Sequence, residues 1–164
     1  MKDPFLSDMT QSAFPYQPDR LCSEGEFTGW RSWTSDNFEN HIGPFWHREE
    51  ADGTVRCAFR VTRKHLNSAG TVHGGTLMSF ADYCIYSIAL PVIKGPGATI
   101  SFACEFIDPG REGDLVTGSG EIIRAGNSLM FLRGMVTSET RTLLNFSSTV
   151  KRFKPGRQPA PSAT

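Results

Sequence analysis

The feature that most constrains this chain is an apolar repeat between residues 73 and 90. Apolar side chains recur there at the i, i+3, i+4, i+7 spacing of an amphipathic helix: Leu77, Phe80, Ala81, Cys84, Ile85, Ile88 and Ala89. Pro91 ends the pattern, because proline disfavours helical backbone before it. A helix of about 17 residues is roughly 26 Å long. It needs a large partner surface to cover its apolar stripe.

The rest of the patterned region reads as strands. PFWHRE (44–49) and TVRCAFRV (54–61) flank the turn signal EADG and predict a hairpin before the helix. Four segments with period-two alternation and short turns follow the helix: ATISFACEFI, DLVTGSGEIIR, SLMFLRGMVTSE and TLLNFSSTVKRF. The order β-β-α-β-β-β-β predicts an α+β fold, in which a curved antiparallel sheet of about six strands wraps the helix as a meander.

The sheet is apolar in places on both faces. In the third of those segments, Leu129, Phe131 and Met135 alternate with Met130, Leu132 and Val136. One helix can cover only one face of a sheet. The second apolar face therefore predicts a further layer, supplied by another subunit.

Composition sets the remaining limits. The chain has 164 residues, which suits one domain, and its 17 basic and 17 acidic residues give a net charge of zero. This balance gives no reason to expect nucleic acid or an anionic membrane as a partner. The start MKDPFLSDMT lacks the apolar centre of a secretory signal, so we expect a cytoplasmic protein. Four cysteines without metal or redox spacing are expected to be reduced thiols.

Three segments are expected along the chain. Residues 1–40 mix Pro, Ser, Asp and Gly with aromatics such as Phe5, Phe14, Tyr16, Trp30 and Trp33, and predict a partly ordered extension whose aromatics dock on the domain. Residues 41–153 form the domain. Residues 154–164 are rich in proline and poor in apolar residues, and predict a disordered tail.

Two glycines at the predicted helix start suggest chemistry. The first amides of a helix have no intrahelical acceptor and lie at the positive end of its dipole. Gly74 and Gly75 lack a Cβ, so a substrate carbonyl could approach their amides closely, as in an oxyanion hole. The alternative is that His73, Gly74 and Gly75 only make a tight helix entry against a strand.

Asp82 is the second candidate, on a helix face shared with Ser79, Tyr83 and Tyr86. A carboxylate on such a face can simply be solvated. If it is catalytic, its distance from Gly74 matters, because eight residues of helix span roughly 12 Å. One helix cannot bring both groups to one carbonyl. Joint catalysis therefore predicts a dimer whose site combines Gly74 of one subunit with Asp82 of the other.

The pattern N-x5-H-G-G-x6-D, formed by Asn67, His73, Gly74, Gly75 and Asp82, resembles the hotdog-fold acyl-CoA thioesterases. It is most similar to the phenylacetate-degradation type of the 4-hydroxybenzoyl-CoA thioesterase superfamily. The resemblance covers about residues 43–153, including the order of helix and strands.

The resemblance implies a role for each matching residue. Gly74 would supply the oxyanion-hole amide, and Asp82 of the neighbouring subunit would be the nucleophile or the general base. Asn67 would hold the acyl carbonyl or the lytic water, and His73 would orient the glycine turn. A hydroxyl residue on the next strand would position water, with Thr99 the best match and Ser101 the alternative.

The resemblance also implies a substrate path. Gly75, Ser101 and Tyr83 would contact the substrate. Independently of the resemblance, the bulk of Tyr83 and Tyr86 beside Asp82 would narrow the acyl pocket or favour an aromatic or short chain. The CoA portion would lie near the turn carrying Arg124, Gly126, Asn127 and Ser128. Arg111, Lys151 and Arg152 are further candidates for its phosphates, although each could equally be solvated surface charge.

The resulting expectation is a homo-oligomeric hydrolase, a dimer or dimer of dimers, that cleaves an aromatic or short- to medium-chain acyl-CoA to the free acid and CoA. No cofactor beyond the CoA of the substrate and no metal is expected, because His41, His47, His65 and His73 lack helical ligand spacing. A non-catalytic acyl-CoA-binding protein and a hotdog enoyl-CoA hydratase or dehydratase remain as alternatives.

Overall fold

The structure is a computed structural model that describes residues 20–34, 36–93 and 95–153. Within these ranges the α-helices are α1 (Asn37–Ile42) and α2 (Gly74–Ala89), and a short 3-10 turn spans Arg63–His65. The strands are β1 (Arg20–Leu21), β2 (Arg31–Ser32), β3 (Trp46–Glu49), β4 (Val55–Arg60), β5 (Gly97–Phe106), β6 (Leu115–Ala125), β7 (Leu129–Ser138) and β8 (Arg141–Arg152). The predicted hairpin, helix and four later strands are all present.

All strands join one antiparallel sheet in the order β1-β2-β3-β4-β6-β7-β8-β5. Only β6, β7 and β8 form the predicted meander. The prediction was wrong for β5, which pairs with β8 at the edge of the sheet instead of with β6. The physical reason is that α2 carries the chain across the sheet between β4 and β5, so β5 can join the far edge.

The long helix α2 packs on the sheet, mainly against β4, β6 and β7. Its buried side chains include Leu77, Phe80, Cys84, Ile85 and Ile88. Gly118 of β6 permits this close approach, because a Cβ there would lie 2.3 Å from the Sγ of Cys84. Burial of the apolar stripe against the sheet is the main driving force for this arrangement.

An aromatic cluster joins the first hairpin to the helix. Phe45, Phe59, Phe80 and Tyr83 are each at most 1 % exposed. The ring of Phe45 contacts the other three rings edge to face, with centroids 5.1 to 5.5 Å apart. Such edge-to-face pairs add stability beyond area burial, and they hold the middle of α2 in place.

The segment before the hairpin adds two short strands, so the sheet has eight strands where about six were expected. Trp30 and Trp33 are buried, and Trp33 packs against His47 with ring centroids 4.7 Å apart. The expected docking of aromatics therefore occurs at these two residues. The other expected docking residues, Phe5, Phe14 and Tyr16, and the predicted tail 154–164 lie outside the described residues.

Two further properties bear on function. No helix within the described ranges is long and apolar enough to cross a membrane. All four cysteines are free, and two of them, Cys57 and Cys84, are buried.

Candidate active site

Asp82 opens into a cavity of about 360 Å³ where α1, α2 and β5 meet. The cavity combines three carboxyl groups, two hydroxyl groups and three apolar side chains. Its lining residues are Asp36, Phe38, Glu39, Met78, Ser79, Asp82, Thr99 and Phe102. A half-buried carboxyl in a concave, partly apolar space is a typical setting for acid–base or nucleophilic chemistry.

The carboxyl of Asp82 is held by β5. Thr99 Oγ1 donates a hydrogen bond of 2.9 Å to Asp82 Oδ1. Burial raises the pKa of Asp82, the hydrogen bond from Thr99 opposes this effect, and the charge of Asp36 adds to it. A raised pKa makes the ionised carboxylate a stronger base. Thr99, the best match on the strand after the helix, is therefore in contact with Asp82.

An irregularity in β5 brings Thr99 to this position. The pairing of β5 with β8 shifts register between Thr99 and Ser101. The extra residue puts Thr99 and Phe102 into the same cavity, although regular alternation would direct them to opposite faces. The period-two alternation predicted for ATISFACEFI, which would put Ile100 and Phe102 on one face, is thus interrupted, and Ile100 is 57 % exposed. Ser101, the alternative to Thr99, is exposed and lines neither this cavity nor the one at the helix start.

The start of α2 forms a second arrangement. His73 is the N-cap residue, and its Nδ1 accepts a hydrogen bond of 2.9 Å from the Gly75 amide. This agrees with the expectation that His73 orients the glycine turn. It also engages the amide of Gly75, so this amide is not available to a substrate carbonyl. Gly74 lies against Phe106, whose ring would be 3.1 Å from a Cβ at that position.

Gly74 and Asp82 lie in different cavities of the same chain. The Gly74 cavity measures about 300 Å³ and is lined by Val72, Gly74, Leu77, Phe106, Ile107, Asp108 and Pro109. None of these residues lines the Asp82 cavity. Within one chain the two candidate groups therefore do not converge, as the helix length predicts.

Asn67 closes the loop that leads to the helix. Its Nδ2 donates to Thr71 Oγ1 at 2.9 Å, and its Oδ1 accepts from the amides of Ala69 and Thr71. The side chain thus shapes the approach to His73, and it lines neither cavity. The role implied for Asn67, contact with the acyl carbonyl or water at a site shared between subunits, stays a prediction.

The prediction that Tyr83 shares a polar helix face with Asp82 is wrong. Tyr83 is 1 % exposed, and its hydroxyl lies 2.7 Å from His47 Nδ1 in the core. Tyr83 therefore does not reach the Asp82 cavity, and the prediction that it contacts the substrate is wrong. Successive helical residues point about 100° apart, so the neighbour of Asp82 turns toward β3. Tyr86 is closer to the site, with its hydroxyl 3.5 Å from Thr99 Oγ1.

None of the candidate CoA residues lines either cavity. Arg124, Asn127 and Ser128 are exposed at or beside the turn between β6 and β7. Arg152 donates to the carbonyls of Gly126 and Val92, which fixes this turn. Arg111 and Lys151, the other two candidates, are exposed.

The helix α1 supplies site residues that the sequence patterns did not reveal. Asp36 caps this helix by accepting a hydrogen bond of 2.9 Å from the Glu39 amide. The spacing of an N-cap Asp followed three residues later by Glu is a known helix-start signal. This signal could have predicted α1, but only the tertiary structure places Glu39 beside Asp82.

A family model described as the thioesterase superfamily matches residues 69–145. The matched segment, slightly less than half of the chain, is similar to this superfamily. The match begins just before the His-Gly-Gly turn and ends in β8, so it contains Gly74, Asp82 and Thr99. The prediction of a thioester hydrolase is confirmed at the level of the family.

Individual relatives agree with the superfamily. Human acyl-coenzyme A thioesterase 13 is 27 % identical over 96 residues, which are 58 % of this chain and 69 % of that protein. A putative esterase of Pseudomonas aeruginosa is 29 % identical over 108 residues, 65 % of this chain and 81 % of that protein. A variant of the phenylacetic acid degradation protein PaaI of Thermus thermophilus is similar in structure, with a TM-score of 0.64 and 26 % identity over 72 % of this chain and 100 % of that chain. The predicted hotdog fold is confirmed.

Proposed function

We propose that this thioesterase hydrolyses an acyl-CoA to the free acid and CoA, with Asp82 of one subunit and the Gly74 amide of another at one site. Water, activated by Asp82, or Asp82 itself attacks the thioester carbonyl carbon. The carbonyl oxygen becomes an oxyanion that the Gly74 amide stabilises. The C–S bond then breaks, and the CoA thiolate takes up a proton. If Asp82 is the nucleophile, water hydrolyses the resulting anhydride, so each route consumes one water and needs no cofactor.

The observation that carries this proposal is the hydrogen-bonded, half-buried Asp82 in a cavity that none of the first residues of α2 lines. The oxyanion donor has to come from elsewhere, and Gly74 opens into a separate cavity that Asp82 and Thr99 do not line. Each chain thus carries the carboxylate half of one active site and the oxyanion-donor half of another. The named activity of the human relative, an acyl-coenzyme A thioesterase, supports acyl-CoA as the substrate class.

The surface around both halves supports a dimer. β5 is the terminal strand of the sheet, and a long unpaired strand edge readily pairs with another chain. Exposed apolar side chains border the two cavities: Phe38, Met78, Phe106 and Ile107 are 41 to 62 % exposed. A second copy that covers this region would also bring the two halves together.

Two finer expectations belong to the same proposal. Ile123, Phe131 and Met135 are 40 to 53 % exposed. On this proposal they form an apolar sheet surface through which two dimers associate into a dimer of dimers. The CoA portion is proposed to pass the exposed turn with Arg124 and Asn127. The acyl group, aromatic or of short to medium length, would occupy the space next to Phe102.

The experiment that tests the shared site is subunit complementation. Asp82→Asn and Gly74→Val are each purified, checked for dimer mass and folding, and then mixed under conditions that exchange subunits. Each variant alone is expected to be inactive. A mixed dimer regains one intact site of two, so random exchange restores about one quarter of wild-type turnover, measured as thiol release from acyl-CoA.

A matched control separates complementation from other causes of recovery. Mixing Asp82→Asn with the double variant Asp82→Asn/Gly74→Val leaves no subunit with the carboxylate, and no activity should return. If the first mixture also stays inactive although mixed dimers form, the site is not shared between subunits. Normal turnover by Asp82→Asn alone would remove Asp82 from the mechanism.

A further inference from the structure

The Asp82 cavity contains a second half-buried carboxyl, Glu39, which the proposed mechanism does not use. Glu39 reaches the cavity from α1, a helix fixed at its start by the Asp36 cap and at its end by a hydrogen bond from the Gly43 amide to the Glu39 carbonyl, 2.7 Å long. Two contacts therefore fix the backbone of Glu39, and its side chain lines the cavity.

The surroundings of Glu39 disfavour a negative charge. Burial raises the pKa of Glu39 to about 8, with the carboxylates of Asp36 and Asp82 contributing to the rise. Asp82 differs because Thr99 donates a hydrogen bond that stabilises its ionised form. When the two carboxyls hold one proton between them, Glu39 therefore keeps it and Asp82 is the carboxylate.

We propose that Glu39 is a positioning residue of the Asp82 site, which in its protonated form keeps a further negative charge away from the carbonyl where the oxyanion develops. This inference rests on the proposed function of Asp82. It assigns a role in the reaction to α1, which lies before the region matched by the superfamily model.

The chemistry of the site gives the reason. The transition state of thioester attack carries a new negative charge on the carbonyl oxygen, and preorganised donors lower its energy. Ionised Glu39 would place a like charge in the same cavity as Asp82, where low dielectric strengthens the repulsion. A neutral Glu39 fills the same volume without this cost.

The other groups near Glu39 leave this charge balance intact. On α2, Tyr83 and Cys84 interact electrostatically with Glu39, and burial raises the pKa of both so that they stay neutral. Two cations contact α1 through other atoms. Arg20 donates to Asn40 Oδ1 at 2.8 Å, and Lys64 donates to the carbonyls of His41 and Gly43.

The alkaline side of the activity profile tests the role. For wild type, kcat/KM corrected for uncatalysed hydrolysis should fall about tenfold between pH 7 and pH 9, as a group with a pKa of about 8 ionises. Glu39→Gln cannot ionise, so its ratio of kcat/KM at pH 9 to pH 7 should be about ten times that of wild type. Glu112→Gln, at an exposed site on the turn between β5 and β6, should keep the wild-type ratio.

A second measurement does not depend on activity. The pKa of Glu39 is higher in the folded chain than its ordinary value of 4.5, so its contribution to stability is full below pH 4.5 and is lost as pH rises through about 8. The Tm of Glu39→Gln minus that of wild type should therefore increase from pH 5 to pH 9. The same difference for Glu112→Gln should stay constant.

The outcomes separate this inference from the proposed function. Equal pH ratios in wild type and Glu39→Gln would overturn the role of Glu39 and leave Asp82 catalysis standing. A pH-dependent Tm difference with no acyl-CoA turnover in wild type would confirm the buried acid but overturn its positioning role together with the proposed function. A flat Tm difference would show that Glu39 is ionised at neutral pH, which contradicts the inference directly.

Discussion

Asp82 and Tyr83 are adjacent on α2, and each side chain is hydrogen-bonded to a residue of a strand, yet they belong to different parts of the molecule. Asp82 accepts from Thr99 on the edge strand β5 and lines a cavity. The Tyr83 hydroxyl pairs with His47 on β3, where both side chains are at most 3 % exposed. One polar contact borders open space and the other is enclosed by the core.

The difference teaches how to separate chemistry from architecture in this fold. The Tyr83–His47 pair is surrounded by Trp33 and Phe45, so no substrate atom can reach it, and its hydrogen bond contributes to stability. The Asp82–Thr99 pair borders a cavity, so the carboxylate can act on a substrate. Burial alone does not mark a site, whereas burial next to accessible space does.

The largest expected effect is on the Asp82 side of the comparison. Asp82→Asn should lower kcat by about 10³-fold, because the amide cannot act as base or nucleophile. Its stability to urea should stay the same or rise, since the wild-type carboxylate is held at a raised pKa and Asn can still accept the hydrogen bond from Thr99. Steady-state thiol release and urea denaturation check both parts. If Asp82→Asn lost stability as well as activity, the role of Asp82 would be structural.

An effect of intermediate size is expected on the stability that the buried Tyr83–His47 pair contributes at acid pH. Burial lowers the pKa of His47 to about 4 from its ordinary value of 6.5, so the folded chain takes up this proton less readily than the unfolded chain. The stability that comes from neutral His47 is complete above pH 6.5 and is lost as pH falls toward 4. Between pH 7 and pH 5 wild type should lose about 2 kcal/mol from this group.

His47→Gln provides the comparison for that loss. The variant has no proton to gain in this range, so its free energy of unfolding should change less between pH 7 and pH 5 than that of wild type. Equilibrium denaturation at the two pH values measures the difference. An equal change in both proteins would mean that other groups carry the acid sensitivity.

The smallest expected effect comes from the hydroxyl of Tyr83. Tyr83→Phe removes the partner of His47 Nδ1 in the core, and His47 Nε2 already has no hydrogen-bond partner among the described residues. Stability should fall by about 1 kcal/mol, while kcat stays within about twofold of wild type. Thermal unfolding measures the change in stability, and thiol release from the same preparation measures kcat. A large fall in kcat at unchanged stability would give Tyr83 a part in the chemistry.

Much of the scaffold could be predicted from local patterns. The apolar repeat predicted α2, and alternation predicted β3 to β8 within a few residues. The partner of β5 could not be predicted, because the same alternation fits pairing with β6 or with β8. The short strands β1 and β2 were missed because two residues are too few to show a period.

The candidate site was also predicted only in part, because local patterns do not show which distant residues come together. Gly74 and Asp82 became candidates through the chemistry of the helix, and the resemblance added roles for His73 and Thr99. Asp82 and Thr99 are in contact in the structure. Tyr83 was misassigned because a face of a helix is broad, and a rotation of about 100° to the next residue decides between cavity and core. Glu39 was missed because no pattern links residues so far apart in the chain.

The sequence by itself determined the elements and the separation of Gly74 from Asp82, since helical geometry follows from local residues and its rise per residue is constant. Only the tertiary structure decided what surrounds each group. The irregularity between Thr99 and Ser101 brings Thr99 to Asp82, and the docking of α1 adds Glu39 to the same cavity. These contacts depend on packing between segments that are distant in the chain. They also determine the charge states of Asp82 and Glu39, on which the proposed chemistry rests.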